Sequence, residues 1–133
     1  MTYVVFDVGG TTTRVAMSHD GATLAAVVSH KTKTNFKEGV ALLKSAIEEL
    51  GVKKKDIVAI AGGVRGLLNE EKTGIHNDAV LSGWAQQSLI GELKKTYGDM
   101  PLWLENDTAL AGLGEAVFGA GQGLDIVVYH TIS

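Results

Sequence analysis

The sequence predicts an α/β fold: a mixed five-stranded sheet with helices on both faces, in the order β-β-β-α-β-α-β-α, followed by a final strand. Three observations carry this expectation. Apolar runs at Tyr3–Phe6, Val15–Met17 and Leu24–Val28 are separated by Gly9-Gly10 and by His19-Asp20-Gly21. Past Thr34, stretches with apolar residues at helical spacing alternate with short β-prone runs. The 17 glycines gather at the ends of apolar runs, where turns and close backbone approach need them.

The first three runs read as an antiparallel meander, because Asp-Gly between β-prone segments is a strong hairpin signal. A helix follows. Asn35 with Glu38 three residues on is a capping-box pattern, and Phe36, Val40, Leu43, Ile47 and Leu50 form one apolar stripe that stops at Gly51. Ile57–Ala61 reads as a short buried strand closed by Gly62-Gly63. Residues 64–82 lack periodicity and are expected to be irregular. A second helix is expected from about Gly83 to Tyr97, with Trp84, Leu89, Ile90 and Leu93 facing inward. Leu102-Trp103-Leu104 reads as a strand, 107–118 as a third helix, and Ile126–Tyr129 as the last strand. Right-handed crossovers would bring the ends of the first, fourth and fifth strands to one edge. The Asp7 turn, Gly62-Gly63 and Glu105-Asn106-Asp107 would then meet in one crevice.

The bulk composition excludes several classes of function. The 133 residues suffice for one domain. The net charge of −3 provides no broad basic field for nucleic acid, and Lys53-Lys54-Lys55 reads as a solvated loop. There is no cysteine, so the chain holds neither a disulfide nor a thiolate zinc site. No apolar stretch reaches the roughly 18 residues of a membrane helix. The opening lacks the pattern of a secretory leader, so a cytoplasmic setting is expected. His19, His30, His76 and His130 are scattered, with no metal-ligand spacing.

Two groups could carry chemistry. In Asp7-Val8-Gly9-Gly10-Thr11-Thr12-Thr13-Arg14 an apolar run ends on a carboxylate able to hold a hydrated metal ion. The turn beyond it offers backbone N–H groups and hydroxyls to phosphate oxygens. A plain hairpin does not need three hydroxyls. Neither the P-loop nor the dinucleotide-binding pattern is present. In Glu105-Asn106-Asp107 three polar residues separate an apolar strand from an apolar helix. A helix cap explains one of them. A carboxylate at such a corner can also act as general base toward a hydroxyl attacking phosphorus, and Asn106 can bond sugar hydroxyls in both directions. The small residues Ala109, Ala111, Gly112, Gly114 and Ala116 that follow suggest close approach of helix and sheet, with Glu115 in a structural role. The aromatic residues, Trp84 and Trp103 included, read as core rather than as a sugar platform, with Trp84, beside the irregular stretch, the nearer of the two to an exception.

With both groups in view, the chain resembles the ROK family (repressor, open reading frame, kinase) of sugar kinases and repressors, within the actin-like ATPase superfamily of ribonuclease H-like folds. Asp7-Val8-Gly9-Gly10-Thr11-Thr12 is similar to the first phosphate motif. Leu104–Asp107 through Leu113-Gly114-Glu115-Ala116 and Phe118–Gly121 is similar to the sugar and catalytic segment. Tyr129–Ser133 is similar to the strand entering the second phosphate loop. Gly62-Gly63-Val64 stands where Pro-Gly-Pro-Val is usual, and Val80 where an asparagine is common.

The resemblance implies an ATP-dependent kinase of the glucokinase, fructokinase or N-acetylhexosamine kinase type, using ATP and magnesium. It implies that Asp7 meets the magnesium–ATP region, with Gly9, Gly10, Thr11, Thr12 and Thr131 near the phosphates. Gly63, Asn106 and Asp107 would contact the sugar, with Asp107 as general base. Family members continue past this point into a Thr-Gly-x-Gly-Gly loop and a second lobe. Residues 1–133 are therefore expected to be an N-terminal lobe whose C-terminal partner lobe is absent, with a sugar as substrate, a homodimer allowed, and little activity alone. The alternative is the effector-binding domain of a sugar-responsive repressor, which would carry a helix-turn-helix ahead of a first strand that here starts at Tyr3. A superfamily module for acyl or phosphate sensing is a third reading.

Overall fold

A computed structural model describes residues 1–132. Strands β1 (Thr2–Val8), β2 (Thr12–Ser18) and β3 (Ala26–Lys31) form the expected antiparallel meander. The Asp20 side chain closes its second turn by accepting from the Ala22 and Thr23 N–H groups, and Gly21 takes φ +76°. These bonds from Thr23 and Ala22, with the hydroxyls of Thr23 and Ser18, hold Asp20 well below the usual carboxylate range. The turn runs on through Ala25, so β3 starts two residues later than the apolar run suggests and Leu24 is left exposed.

Helix α1 (Phe36–Glu49) begins at Asn35, whose side chain accepts from the Glu38 N–H, and ends before Gly51 at φ +73°. Both ends follow the sequence reading. Strand β4 (Ile57–Val64) pairs parallel to β1, and a small hairpin, β5 (Leu67–Leu68) with β6 (Ile75–Asn77), follows it. The segment expected to be irregular therefore contains two short strands, too brief to show periodicity.

Helix α2 (Leu89–Tyr97) is shorter than expected. Ser82–Trp84 form a separate single turn, Gln86 adopts φ +61°, and Ser88 caps the helix by accepting from the Gly91 N–H. Strand β7 (Leu102–Asn106) and helix α3 (Asp107–Phe118) complete the fold. The sheet order is β3-β2-β1-β4-β7, five strands with mixed directions.

The predicted strand at Ile126–Tyr129 does not form. The sheet edges are β3 and β7, and residues 126–129 pair with neither. Without a ladder partner a β-prone run has no reason to become a strand. The end of this prediction, at Ser133, lies outside the described residues.

The core lies on one face of the sheet. Val4, Phe6, Val8, Val15, Ile60 and Val64 meet Phe36, Val40, Leu43 and Ile47 of α1 and Leu89, Ile90 and Leu93 of α2. Trp84 belongs to this core. It is only 2 % exposed, stacks edge-on against Phe36 with ring centroids 5.4 Å apart, and donates from its indole N–H to the Lys33 carbonyl at 2.9 Å. Trp84 thus faces inward as the apolar pattern predicts, and the exception of a sugar platform, which needs an open ring face, does not apply to it; Trp103 is the exposed tryptophan. Helix α3 packs on the opposite face and has no buried residue. Its glycines do not bring it onto the sheet. A side chain on Gly114 would meet nothing, and one on Gly112 would meet Tyr129. The close approach is at Gly63 instead, where an added Cβ would lie 3.2 Å from Leu110 and 3.5 Å from the Asp107 Cα.

Candidate active site

Parallel pairing places three polar corners side by side. Asp7 of β1 is in register with Gly63 of β4, and Gly63 with Glu105 of β7. All lie at the carboxyl ends of parallel strands, where the strands' helices and loops leave a crevice. The crevice holds about 320 Å³ and is lined by Phe6, Asp7, Gly63, Asp107, Thr108, Leu110, Ala111, Tyr129 and Thr131. Four residues picked from the sequence, Asp7, Gly63, Asp107 and Thr131, thus share one wall-lined space. Thr131 arrives there on an irregular segment rather than on a strand.

Asp7 keeps its carboxylate half exposed, with Oδ2 3.3 Å from Arg14 Nη1. An accessible carboxylate at the crevice wall, paired at one oxygen with Arg14, fits magnesium, which takes one or two carboxylates and completes its shell with phosphate oxygens and water. Among the described residues no group of three metal-ligating side chains occurs.

The turn after Asp7 is more closed than the sequence suggests. The Gly9 N–H donates to the Thr12 carbonyl at 3.0 Å. Thr32, just beyond β3, ties the turn down: its N–H donates to the Thr11 carbonyl and its hydroxyl to the Gly9 carbonyl, each at 2.9 Å. Thr13 is buried and its hydroxyl pairs with that of Thr32 at 3.0 Å. The N–H groups of Gly10 and Thr11 and the hydroxyls of Thr11 and Thr12 have no partner among the described residues. Gly9 and Thr13 shape the turn, and these other groups are its outward donors.

The Glu105-Asn106-Asp107 corner divides its labour. Glu105 forms an ion pair with Lys72 from the β5–β6 hairpin. That hydrogen bond from Lys72, with one from the Asn106 N–H, holds its carboxyl below the usual range despite partial desolvation. Asn106 caps α3 by accepting from the Ala109 N–H at 3.1 Å, while its amide donates to the Gly66 carbonyl at 3.0 Å. Both ends of that amide are therefore engaged, and Asn106 does not line the crevice. Asp107 does. Its Oδ1 accepts from the Thr108 N–H at 2.8 Å, and Oδ2 has no hydrogen bond among the described residues. Glu115 closes the far end of α3 by accepting from the Ala120 N–H, the structural role expected of it.

Sequence reasoning missed Arg65. Its Nε donates to Asp78 at 3.1 Å, and its guanidinium lies against Gly10. No spacing rule singles out an arginine in a stretch without periodicity; the only local sign is the Gly66 that follows, at φ +96°. The Asp78 side chain is 7 % exposed and also accepts from the Val80 and Leu81 N–H groups. Burial alone would raise its pKa. The Leu81 N–H, the Arg65 hydrogen bond and charge, and the Val80 N–H outweigh burial and lower it. A depressed carboxyl adds stability that is complete above its ordinary value of 3.8 and is lost as pH falls through the folded-state value. Asp78→Asn should therefore lower stability at pH 7 and flatten its decline below pH 3.8, as read by denaturant unfolding at both ends of that range.

The ROK family profile matches residues 3–133. The glucokinase of Halalkalibacterium halodurans is 34% identical over 98% of this chain and 41% of its own length. That of Thermotoga maritima is 33% identical over 95% of this chain and 40% of its own. The chain thus spans about two fifths of the relatives it matches. Among solved structures, a ROK family glucokinase from Streptomyces griseus, in complex with glucose and AMPPNP, superimposes with a TM-score of 0.80. It is 22% identical, over 92% of this chain and 38% of that one, and shows the shared fold. The Asp7 turn, the Asp107 corner and the profile match agree over nearly the whole chain: it belongs to the ROK family.

Proposed function

We propose that this chain is the N-terminal lobe of an ATP-dependent sugar kinase of the glucokinase, fructokinase or N-acetylhexosamine kinase type. The observation that carries this reading is the meeting of Asp7, Gly63 and Asp107 in one crevice at the ends of three parallel strands. The identity to two glucokinases supports the choice of kinase over a repressor domain, and the AMPPNP bound in the Streptomyces griseus glucokinase supports ATP as the phosphoryl donor. The coverage of only about two fifths of their length supports a further lobe. So does the exposed apolar surface at Leu113, Phe118, Ile126 and Val128, which the rest of such a protein would cover.

In this reading Asp107 accepts the proton of a sugar hydroxyl through Oδ2 while the Thr108 N–H steadies Oδ1. The hydroxyl oxygen forms a bond to the γ-phosphorus of ATP as the bond to the β-phosphate bridging oxygen breaks, releasing ADP. The N–H groups of Gly10 and Thr11 and the hydroxyls of Thr11 and Thr12 take up charge on the phosphate oxygens. Gly63 leaves room for the sugar beside Asp107, because a side chain there would press on Leu110. Thr131 offers a further hydroxyl at the crevice wall. Asn106 fixes the corner through the α3 cap and the Gly66 carbonyl, leaving Asp107 as the residue of that pair that meets the sugar. Magnesium, held by Asp7 with phosphate oxygens and water, would neutralise phosphate charge. The setting is the cytoplasm, where its ATP is held.

A panel of hexoses and N-acetylhexosamines, assayed with magnesium–ATP on the full-length protein, should reveal one or a few phosphorylated sugars. The 133-residue chain alone should turn over little or none of them. Turnover by that chain at ordinary kinase rates would overturn the lobe assignment, and a panel without any product would overturn the kinase.

A further inference from the structure

We propose that Arg65 is a phosphate-positioning residue, a fixed cation that holds the terminal phosphoryl group of the nucleotide against the Gly10 turn. The inference rests on the kinase reading and adds to it a residue outside the motifs that suggested it.

The placement begins in the backbone. The Arg65 N–H donates to the Val8 carbonyl at 3.1 Å, extending the β1–β4 ladder one residue past the sheet. Arg65 is thereby locked beside the first phosphate turn. Its side chain then lies over that turn: a Cβ on Gly10 would stand 2.5 Å from Nη1 and 3.4 Å from Cδ. Only a glycine at position 10 admits the guanidinium so closely.

The guanidinium is held from behind. Asp78, itself anchored by the Val80 and Leu81 N–H groups, accepts from Nε at 3.1 Å. The Gly66 carbonyl, one residue on, accepts from the Asn106 amide at 3.0 Å, so the same turn is tied to the Asp107 corner. The bond at Nε anchors the guanidinium, and four of its five N–H donors remain uncommitted among the described residues.

Among the described residues no hydrogen bond takes up those donors. The neighbouring Gly10 and Thr11 N–H groups are unpaired as well, and the nearest carboxylate of the turn, Asp7, pairs with Arg14. A fixed fork of N–H donors beside two backbone donors fits a phosphate, which presents several acceptor oxygens and negative charge. A purely structural clamp on Asp78 would not need the rest of the fork to lie on the phosphate turn.

The test compares two nucleotides on the full-length protein. Arg65→Met should weaken magnesium–AMPPNP by about tenfold or more while leaving magnesium–ADP within about twofold, because only the former carries the terminal phosphate. Arg65→Lys keeps the charge but not the fork, and should fall between. If Arg65→Met does not fold, Gly10→Ala carries the comparison, since its methyl displaces the guanidinium tip without removing the charge. Equal losses for both nucleotides would make Arg65 a structural clamp and overturn the proposal. Unchanged affinity for both would overturn it too, with the kinase reading intact. Failure of the unmodified protein to bind either nucleotide would remove the kinase reading, and this inference with it.

Discussion

If Asp107 is the general base of the kinase proposed above, Asp107→Asn made in that whole kinase lowers phosphoryl transfer by about 10²–10⁴-fold, the range that a positioned general base contributes. The substitution isolates the proton-accepting function. An asparagine can still accept the Thr108 N–H bond through its carbonyl oxygen, and the α3 cap belongs to Asn106, not to Asp107. The corner should keep its shape, and the melting temperature should stay close to that of the unmodified protein. What is lost is the only carboxylate of the 105–107 corner that is both in the crevice and unpaired at one oxygen. Glu105 cannot replace it, because Lys72 already holds it. Sugar and nucleotide affinities should change little, so the loss should fall on kcat rather than on KM. Turnover surviving within about tenfold would mean that Asp107 is not the base.

Trp84→Ala is expected to produce the largest loss of stability of any single truncation in the chain. Trp84 fills the angle between α1, the Ser82–Trp84 turn and the sheet, and Gly39 of α1 lacks a side chain where the indole ring lies. Removing the ring empties that space and leaves the Lys33 carbonyl without its indole donor. Truncating a buried aromatic costs about 3–5 kcal/mol, or a fall of about 10 °C or more in melting temperature at this chain length. Trp103→Ala is the matched control. Its side chain is 60% exposed, and its loss should stay within about 0.5 kcal/mol. Thermal or urea unfolding of the two variants separates the roles, and equal losses would contradict the placement of Trp84 in the core.

The two tryptophans also show where sequence reasoning stopped. Spacing turns Trp84 inward with Leu89, Ile90 and Leu93, yet neither composition nor spacing shows how completely its ring is buried or that Trp103 stays exposed. The distinction arises because Gly39, 45 residues earlier in the chain, leaves a slot in α1 that accepts one of them. The meander, α1 with its Asn35 cap and Gly51 stop, and the start of α3 were all legible, because their signals are local: a turn dipeptide, a cap and a 3.6-residue stripe. The break before α2 was not, since Ser88 competes with the apolar pattern that runs through it. The strand predicted at Ile126–Tyr129 failed for the opposite reason: its propensity is local, but a strand exists only if another strand accepts its hydrogen bonds.

The site divides in the same way. By itself the sequence determined the chemical endowment: a carboxylate before a glycine turn, a carboxylate at a strand-to-helix corner, and a family resemblance that the profile match bears out. Tertiary structure decided how those groups are used. Strand register set Asp7, Gly63 and Glu105 in one row, and Asp107 next to them in the crevice. Pairing with Lys72 withdrew Glu105, capping engaged Asn106, and the bond to Thr32 turned Thr13 inward. Only the folded chain brings Arg65 onto Gly10, 55 positions away. Residue types and short spacings fix what a side chain can do, whereas partners distant in sequence fix whether its lone pairs and protons remain available to do it.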